Sequence, residues 1–174
     1  MVSASPSSLP HLTTPRLTLL PLTHEIVVRQ LEGQPFTLDL PGVGLVRFDT
    51  EWPGDALAIF PTLAEDAALS GGWVLIQAGE AIGMIGPKGL LWGAVEIGYG
   101  LRPQSWNQGL ATEAVQAVSA WLLTLPQVTR VTAETAVGNV ASARVLEKSG
   151  FAEVGQGFSE DDGELRLWTL EREG

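Results

Sequence analysis

The feature that most narrows the fold is a long amphipathic segment framed by strands. Over residues 109–125, Ala111, Ala114, Val115, Val118, Trp121, Leu122 and Leu125 recur every three or four positions, the period of a helix with one buried face. Pro126 stops it, because proline removes a backbone donor and clashes with the preceding turn. The stretch before it, 91–101, and the stretch after it, 128–135, both read as strands. A second helix follows at 139–149, closed by Gly150, and strands begin at 151–155 and 165–170. Upstream, 73–77 and 81–85 are joined by the short turn Ala78-Gly79-Glu80, a hairpin signal. From Gly71 onward the chain is therefore an α/β layer arrangement with a mixed sheet.

The first third is less regular. Residues 1–14 are rich in Ser, Thr and Pro and read as a loose tail, so a single domain is expected over 15–174. Arg16-Leu-Thr-Leu-Leu-Pro-Leu alternates as a strand ended by Pro21. Thr23 is placed to cap a helix over 24–32, with Ile26, Val27, Gln30 and Leu31 on its inner stripe. With Pro35, Pro41 and Pro53, the stretch 33–54 reads as a long irregular segment with room for one short strand. Such loops are often lids or binding loops. Helical spacing returns over 55–69, interrupted at Pro61.

Composition removes several kinds of chemistry. The chain has no cysteine, which excludes disulfides, a Cys-containing zinc site and a thiol nucleophile. Its two histidines, His11 and His24, both lie near the start, so no metal site is expected. Twenty acidic against ten basic residues give a net charge of −10, which argues against a nucleic-acid partner and favours a cationic one. No apolar run approaches the roughly 18 residues of a membrane span. The start lacks a basic and apolar leader, so a cytoplasmic location is expected.

Two stretches carry chemistry. In Glu96-Ile-Gly-Tyr-Gly-Leu-Arg-Pro-Gln-Ser-Trp-Asn-Gln-Gly-Leu-Ala-Thr-Glu-Ala a strand runs through a polar turn into the long helix. Backbone N–H groups at a helix start bind anions without any basic side chain. Small residues at Gly109 and Ala111 let a diphosphate approach closely, or equally let helix and sheet pack tightly. The pattern is neither a P-loop nor the dinucleotide fingerprint. About thirty residues on comes Gly138-Asn-Val-Ala-Ser-Ala-Arg-Val-Leu-Glu-Lys-Ser-Gly-Phe. There Asn139 is either a helix cap alone, or with Ser142 a pair of polar groups aimed at a ligand.

Taken together and in order, the two stretches resemble the GCN5-related N-acetyltransferase (GNAT) superfamily, and most its ribosomal-protein N-terminal acetyltransferase branch, the RimJ/RimL type. The likeness spans residues 72–172 and extends more weakly to Thr14-Pro-Arg-Leu-Thr-Leu-Leu-Pro-Leu. It implies a mixed α/β fold with a mostly antiparallel, twisted sheet of about six to seven strands, splayed between two parallel strands and flanked by about four helices. It implies acetyl-CoA as cosubstrate, held between the splayed strands 91–101 and 128–135. The diphosphate would lie on Trp106, Asn107, Gln108, Gly109, Leu110 and Ala111. The pantetheine arm would run along Tyr99 and Leu101, with Asn139 at its amides and Ser142 near the sulfur.

The implied reaction is direct transfer of acetyl to a primary amine, either a protein N-terminus or a small molecule. Glu96 would take the amine proton, and backbone N–H groups around Ile97 and Tyr99 would hold the oxyanion. Many relatives carry a tyrosine as acid toward the sulfur where this chain has Leu146, which passes that role to Ser142, with Tyr99 as alternative. The other reading of that substitution is a catalytically inactive acyl-CoA-binding module. Residues 33–70 match nothing in the resemblance and are expected to form a variable acceptor side; a homodimer is compatible with all of this.

Other features read as structural or as acceptor-facing. The tryptophans Trp52, Trp73 and Trp92 are core residues or line an apolar acceptor pocket. Glu160-Asp161-Asp162 is a solvated turn or an attractor for a cation. Arg144 and Lys148 are candidates for cofactor phosphates, Lys148 equally for the helix end.

Overall fold

The computed structural model describes residues 9–54 and 72–173. They belong to two compact units, one built from Met1–Gly86 with Tyr99–Leu110, the other from Pro87–Gly98 with Ala111–Gly174. The helical spacing read over 55–69 lies outside the described residues.

In the first unit, β1 (Leu12–Thr13) pairs antiparallel with β2 (Thr18–Pro21), and β2 with β5 (Trp73–Gln77). A two-residue turn, Ala78-Gly79, joins β5 to β6 (Glu80–Leu91); both of its residues have positive φ, 50° and 79°. Such dihedrals match the twist of a tight hairpin. Helix α1 (His24–Leu31) begins where the sequence places it, with the Thr23 hydroxyl accepting from the Ile26 N–H at 3.2 Å. Its Ile26, Val27 and Gln30 face inward.

The stretch 33–54 departs from its irregular reading. It holds a complete hairpin, β3 (Phe36–Leu40) and β4 (Gly44–Phe48), turning at Pro41-Gly42-Val43. Phe36 pairs with Phe48 across the ladder, their rings stacked at 4.6 Å, and Phe48 meets Trp52 edge-on at 5.0 Å. Each such ring pair adds about 0.5–1.5 kcal/mol beyond area burial. The hairpin closes the core of Leu20, Ile26, Val27, Val46, Val74, Ile76 and Met84, and β4 touches β6 through one parallel bridge, Arg47↔Glu80. Within the stretch 1–14, Leu12–Thr13 are strand and the Pro10 carbonyl accepts the Trp73 indole N–H at 2.8 Å, while residues 1–8 lie outside the described residues.

In the second unit, β7 (Ala94–Leu101) and β8 (Arg130–Ala136) run parallel, β10 (Gly163–Glu171) pairs antiparallel along the whole of β8, and β9 (Ala152–Ser159) pairs with β10. Strands β6 and β7 serve both units: 80–86 and 99–101 belong to the first, 87–91 and 94–98 to the second. Helix α2 (Leu110–Leu122) buries Ala114, Val115, Val118 and Leu122, the stripe read from the sequence. It ends before residue 125 because the chain tightens into three-residue turns, Thr124 N–H to Trp121 O and Leu125 N–H to Leu122 O, ahead of Pro126. Helix α3 (Val140–Lys148) buries Ala143 and Leu146 and closes at Gly150, φ 90°, with the Phe151 N–H returning to the Leu146 carbonyl.

This is the mixed, mostly antiparallel α/β arrangement expected. Its strands number ten and its α-helices three among the described residues, against about six to seven and about four. The excess is β1, β3 and β4. No helix among the described residues is long and apolar enough to cross a membrane.

Candidate active site

The polar turn after β7 is anchored from below by Arg102. Its guanidinium is nearly buried, donating to Asp49 Oδ2 at 2.6 Å, to Glu80 Oε2 at 2.8 Å and to Ser105 Oγ at 3.3 Å. Burial pulls the Arg102 pKa down, but the hydrogen bonds and charges of Glu80 and Asp49 outweigh it and raise it. Its backbone N–H donates to the Ile82 carbonyl at 2.8 Å, so both ends of this residue are fixed.

From there Pro103–Ser105 makes one 3-10 turn, with the Trp106 N–H donating to the Pro103 carbonyl. The Trp106 indole N–H donates to the Leu101 carbonyl at 2.8 Å, while the ring stays half exposed. Two residues then adopt left-handed backbone, Asn107 at φ 60° and Gly109 at φ 77°. Glycine enters this region without steric cost, which accounts for Gly109. After glycine, asparagine is among the residues that best tolerate this region. Arg16 was not singled out by sequence; its Nη1 donates to the Gln108 carbonyl at 2.8 Å, turning that carbonyl toward a cation. The contact spans 92 positions, so no local pattern points to it. Leu110 is buried at the start of α2, and a helix's first-turn amides, here Leu110 and Ala111 among them, have no acceptor within the helix.

In the second unit, the β7–β8 ladder covers only Ala94↔Arg130, Val95↔Val131 and Glu96↔Thr132. Glu96 is thus the last residue of β7 laddered to β8, with Ile97 buried and Gly98 half-buried beyond it. Its carboxylate lies 3.7 Å from Lys88 Nζ, a neighbour the sequence reading missed because it ended β6 at residue 85. Asn139 caps α3, its Oδ1 accepting from the Ser142 N–H at 3.1 Å. Ser142 is half-buried and Leu146 fully buried one turn later on the same face. In the first unit, Tyr99 is half-buried and Leu101 buried.

The remaining candidates sort as follows. Trp52 and Trp73 are fully buried core residues with indole N–H groups bonded to the Gly83 and Pro10 carbonyls. Trp92 is 90% exposed at the tip of the β6–β7 hairpin. Glu160, Asp161 and Asp162 form an exposed turn, with the Ser159 hydroxyl accepting from the Asp162 N–H. Arg144 and Lys148 are exposed, and the Lys148 carbonyl accepts from Gln116. Among the described residues no group of three or more His, Asp or Glu side chains is placed to hold a metal ion.

Comparison with known proteins matches residues 45–152 to the family model described as the acetyltransferase (GNAT) domain. The uncharacterized N-acetyltransferase YjdG of Bacillus subtilis (strain 168) is 28% identical over 113 residues, 58% of this chain and 67% of that protein. Among solved structures, AAC(6')-Ib in complex with paromomycin and acetyl-CoA superposes with a TM-score of 0.65 at 21% identity, covering 90% of this chain and 94% of that one. RimL, a ribosomal-protein alpha-N acetyltransferase solved with coenzyme A, gives a TM-score of 0.62 at 17% identity, covering 91% and 95%.

Proposed function

The chain belongs to the GNAT acetyltransferase family, and we propose that within it residues 15–174 act as one enzyme domain that transfers acetyl directly from acetyl-CoA to a primary amine. The observation that carries the reading is the turn from Trp106 to Ala111. Left-handed Asn107 and Gly109 lead straight into the first amides of α2, and the turn is held by Arg102 below and Arg16 beside it. A run of backbone donors at a helix start suits a diphosphate. In this reading Gln108, Gly109, Leu110 and Ala111 hold the diphosphate, with Trp106 and Asn107 shaping the turn. Tyr99 and Leu101 carry the pantetheine arm on backbone groups, and the Asn139 amide meets it.

Glu96 takes the amine proton, directly or through water. The amine lone pair then attacks the thioester carbonyl, and the oxyanion is met by N–H groups next to Ile97 and Gly98. In this reading Ser142 returns a proton to the departing sulfur. No acyl-enzyme on sulfur arises, because the chain has no cysteine. The chain's surplus of acid favours a cationic acceptor, a class that includes protein N-termini. The RimJ/RimL branch is supported by the resemblance of Thr14-Pro-Arg-Leu to its opening strand.

Leu146, buried where relatives carry a tyrosine, favours a second reading, an acyl-CoA-binding module without turnover. Thiol release from acetyl-CoA over a panel of amines and N-terminal peptides separates them. Release with at least one amine supports the enzyme, and CoA binding with none supports the module. Absence of CoA binding by calorimetry refutes both.

A further inference from the structure

We propose that Lys88 is an internal acceptor amine, acetylated by its own chain; this rests on the acetyl-transfer reading above. Three observations in the second unit carry it. Lys88 Nζ stands 3.7 Å from Glu96 Oε2, the oxygen assigned to take a proton from an acceptor. Its stem lies against β7 where Gly98 has no side chain: a Cβ there would sit 2.6 Å from Lys88 Cε and 3.4 Å from Nζ. The amine therefore occupies the strand face beside Glu96 and Gly98, just beyond the last rung of the β7–β8 ladder.

The third observation is the choice of residue. The chain carries eight arginines and only two lysines, Lys88 and Lys148. The side-chain ion pairs at Arg29, Arg102 and Arg166 use arginine. A guanidinium stays protonated and makes no nucleophile, whereas a lysine amine loses its proton and attacks carbonyls. The contact to Glu96 is long and the ammonium more than half exposed, so little holds the side chain in place.

The step balances without a further reagent. Lys88 loses a proton to Glu96 and its nitrogen attacks the acetyl carbonyl. The N–C bond forms, the C–S bond breaks, and the sulfur leaves with the electron pair as thiolate. The second nitrogen proton is lost as the amide forms, and the thiolate takes one proton, leaving acetyl-lysine, CoA thiol and one proton in solution. The product has no charge, so the ion pair to Glu96 is gone and the carboxylate is released for an external amine.

The test is to incubate the full chain with isotope-labelled acetyl-CoA and follow Lys88 and Lys148 by peptide mass spectrometry, with Lys148 as the built-in measure of uncatalysed acetylation. Lys88 is expected to be modified at least about tenfold faster than Lys148, with a rate constant independent of protein concentration, as general-base assistance in one molecule requires. Glu96→Gln, which keeps the shape of the side chain, should slow Lys88 at least about tenfold and leave Lys148 unchanged. With CoA binding intact by calorimetry, a smaller Lys88 preference, a rate that rises with protein concentration, or a Lys88 rate indifferent to Glu96→Gln overturns the inference. Failure of CoA to bind refutes the acetyl-transfer reading instead.

Discussion

Replacing Gly109 by glutamate tests the cofactor site where its geometry is tightest. Gly109 sits at φ 77°, and a Cβ built there lies 3.3 Å from Arg16 Nη2. An L-residue in left-handed backbone costs about 1–2 kcal/mol, which Gly109→Ala bears as well. That strain is present with and without ligand, so the alanine variant loses stability but keeps most of its CoA affinity. Glutamate adds a charge, and Arg16 draws the carboxylate over the turn. At roughly 5 Å from a diphosphate oxygen and an effective dielectric of about 20, one such repulsion is worth about 3 kcal/mol, a loss of a few hundredfold in affinity. Calorimetric titration of CoA into wild type, Gly109→Ala and Gly109→Glu separates strain from charge. If Gly109→Glu binds CoA within about threefold of wild type, the diphosphate does not lie on this turn.

Two further outcomes follow from packing and charge in the first unit. Phe48→Ala removes a fully buried ring that contacts both Phe36 and Trp52, and should cost about 3–5 kcal/mol in denaturant unfolding. Arg102→Met leaves Asp49 and Glu80 without their shared cation and should cost about 1.5–3 kcal/mol. The folded pKa of Arg102 is raised, so its contribution is complete below the unfolded-state value and is lost only as pH climbs through the folded one. Unfolding of wild type and Arg102→Met at about pH 6 and about pH 9 should therefore show the same difference. A penalty that fades by the upper value would refute the clamp.

Legibility followed the range of the interactions. The Thr23 cap, the α2 stripe and the Gly150 stop were readable because each is settled within about one or two helical turns. The β3–β4 hairpin was not, although Phe36, Leu38, Leu40 and then Val46, Phe48 alternate in the sequence. Pro35, Pro41 and Pro53 argue for an irregular stretch, yet Pro41 lies in the turn and the other two lie outside the strands, where no ladder donor is lost. At the site, the backbone donors were legible from the strand–turn–helix order, while their supports were not. Arg16 reaches Gln108 across 92 positions, and Arg102 reaches Asp49 across 53. Lys88 meets Glu96 only through the pairing of two hairpin strands, one of them longer than its apolar run suggested.

The charge of −10 and the proposed polyanionic cosubstrate are reconciled by distance. Net charge acts through a solvent that screens it within about 8 Å at physiological salt. A diphosphate on the turn meets first the N–H groups at its own contact distance, with about half a positive charge from the α2 terminus behind them. Beneath the turn, Asp49 and Glu80 share Arg102 as their cation. Arg16 faces the turn through the Gln108 carbonyl, which keeps that oxygen's partial negative charge bound to a cation. The donors a diphosphate would touch are thus local, although the chain as a whole is negative. The surplus acid is then left to act at longer range, on the approach of the acceptor amine, where a slope of the on-rate with ionic strength would reveal it.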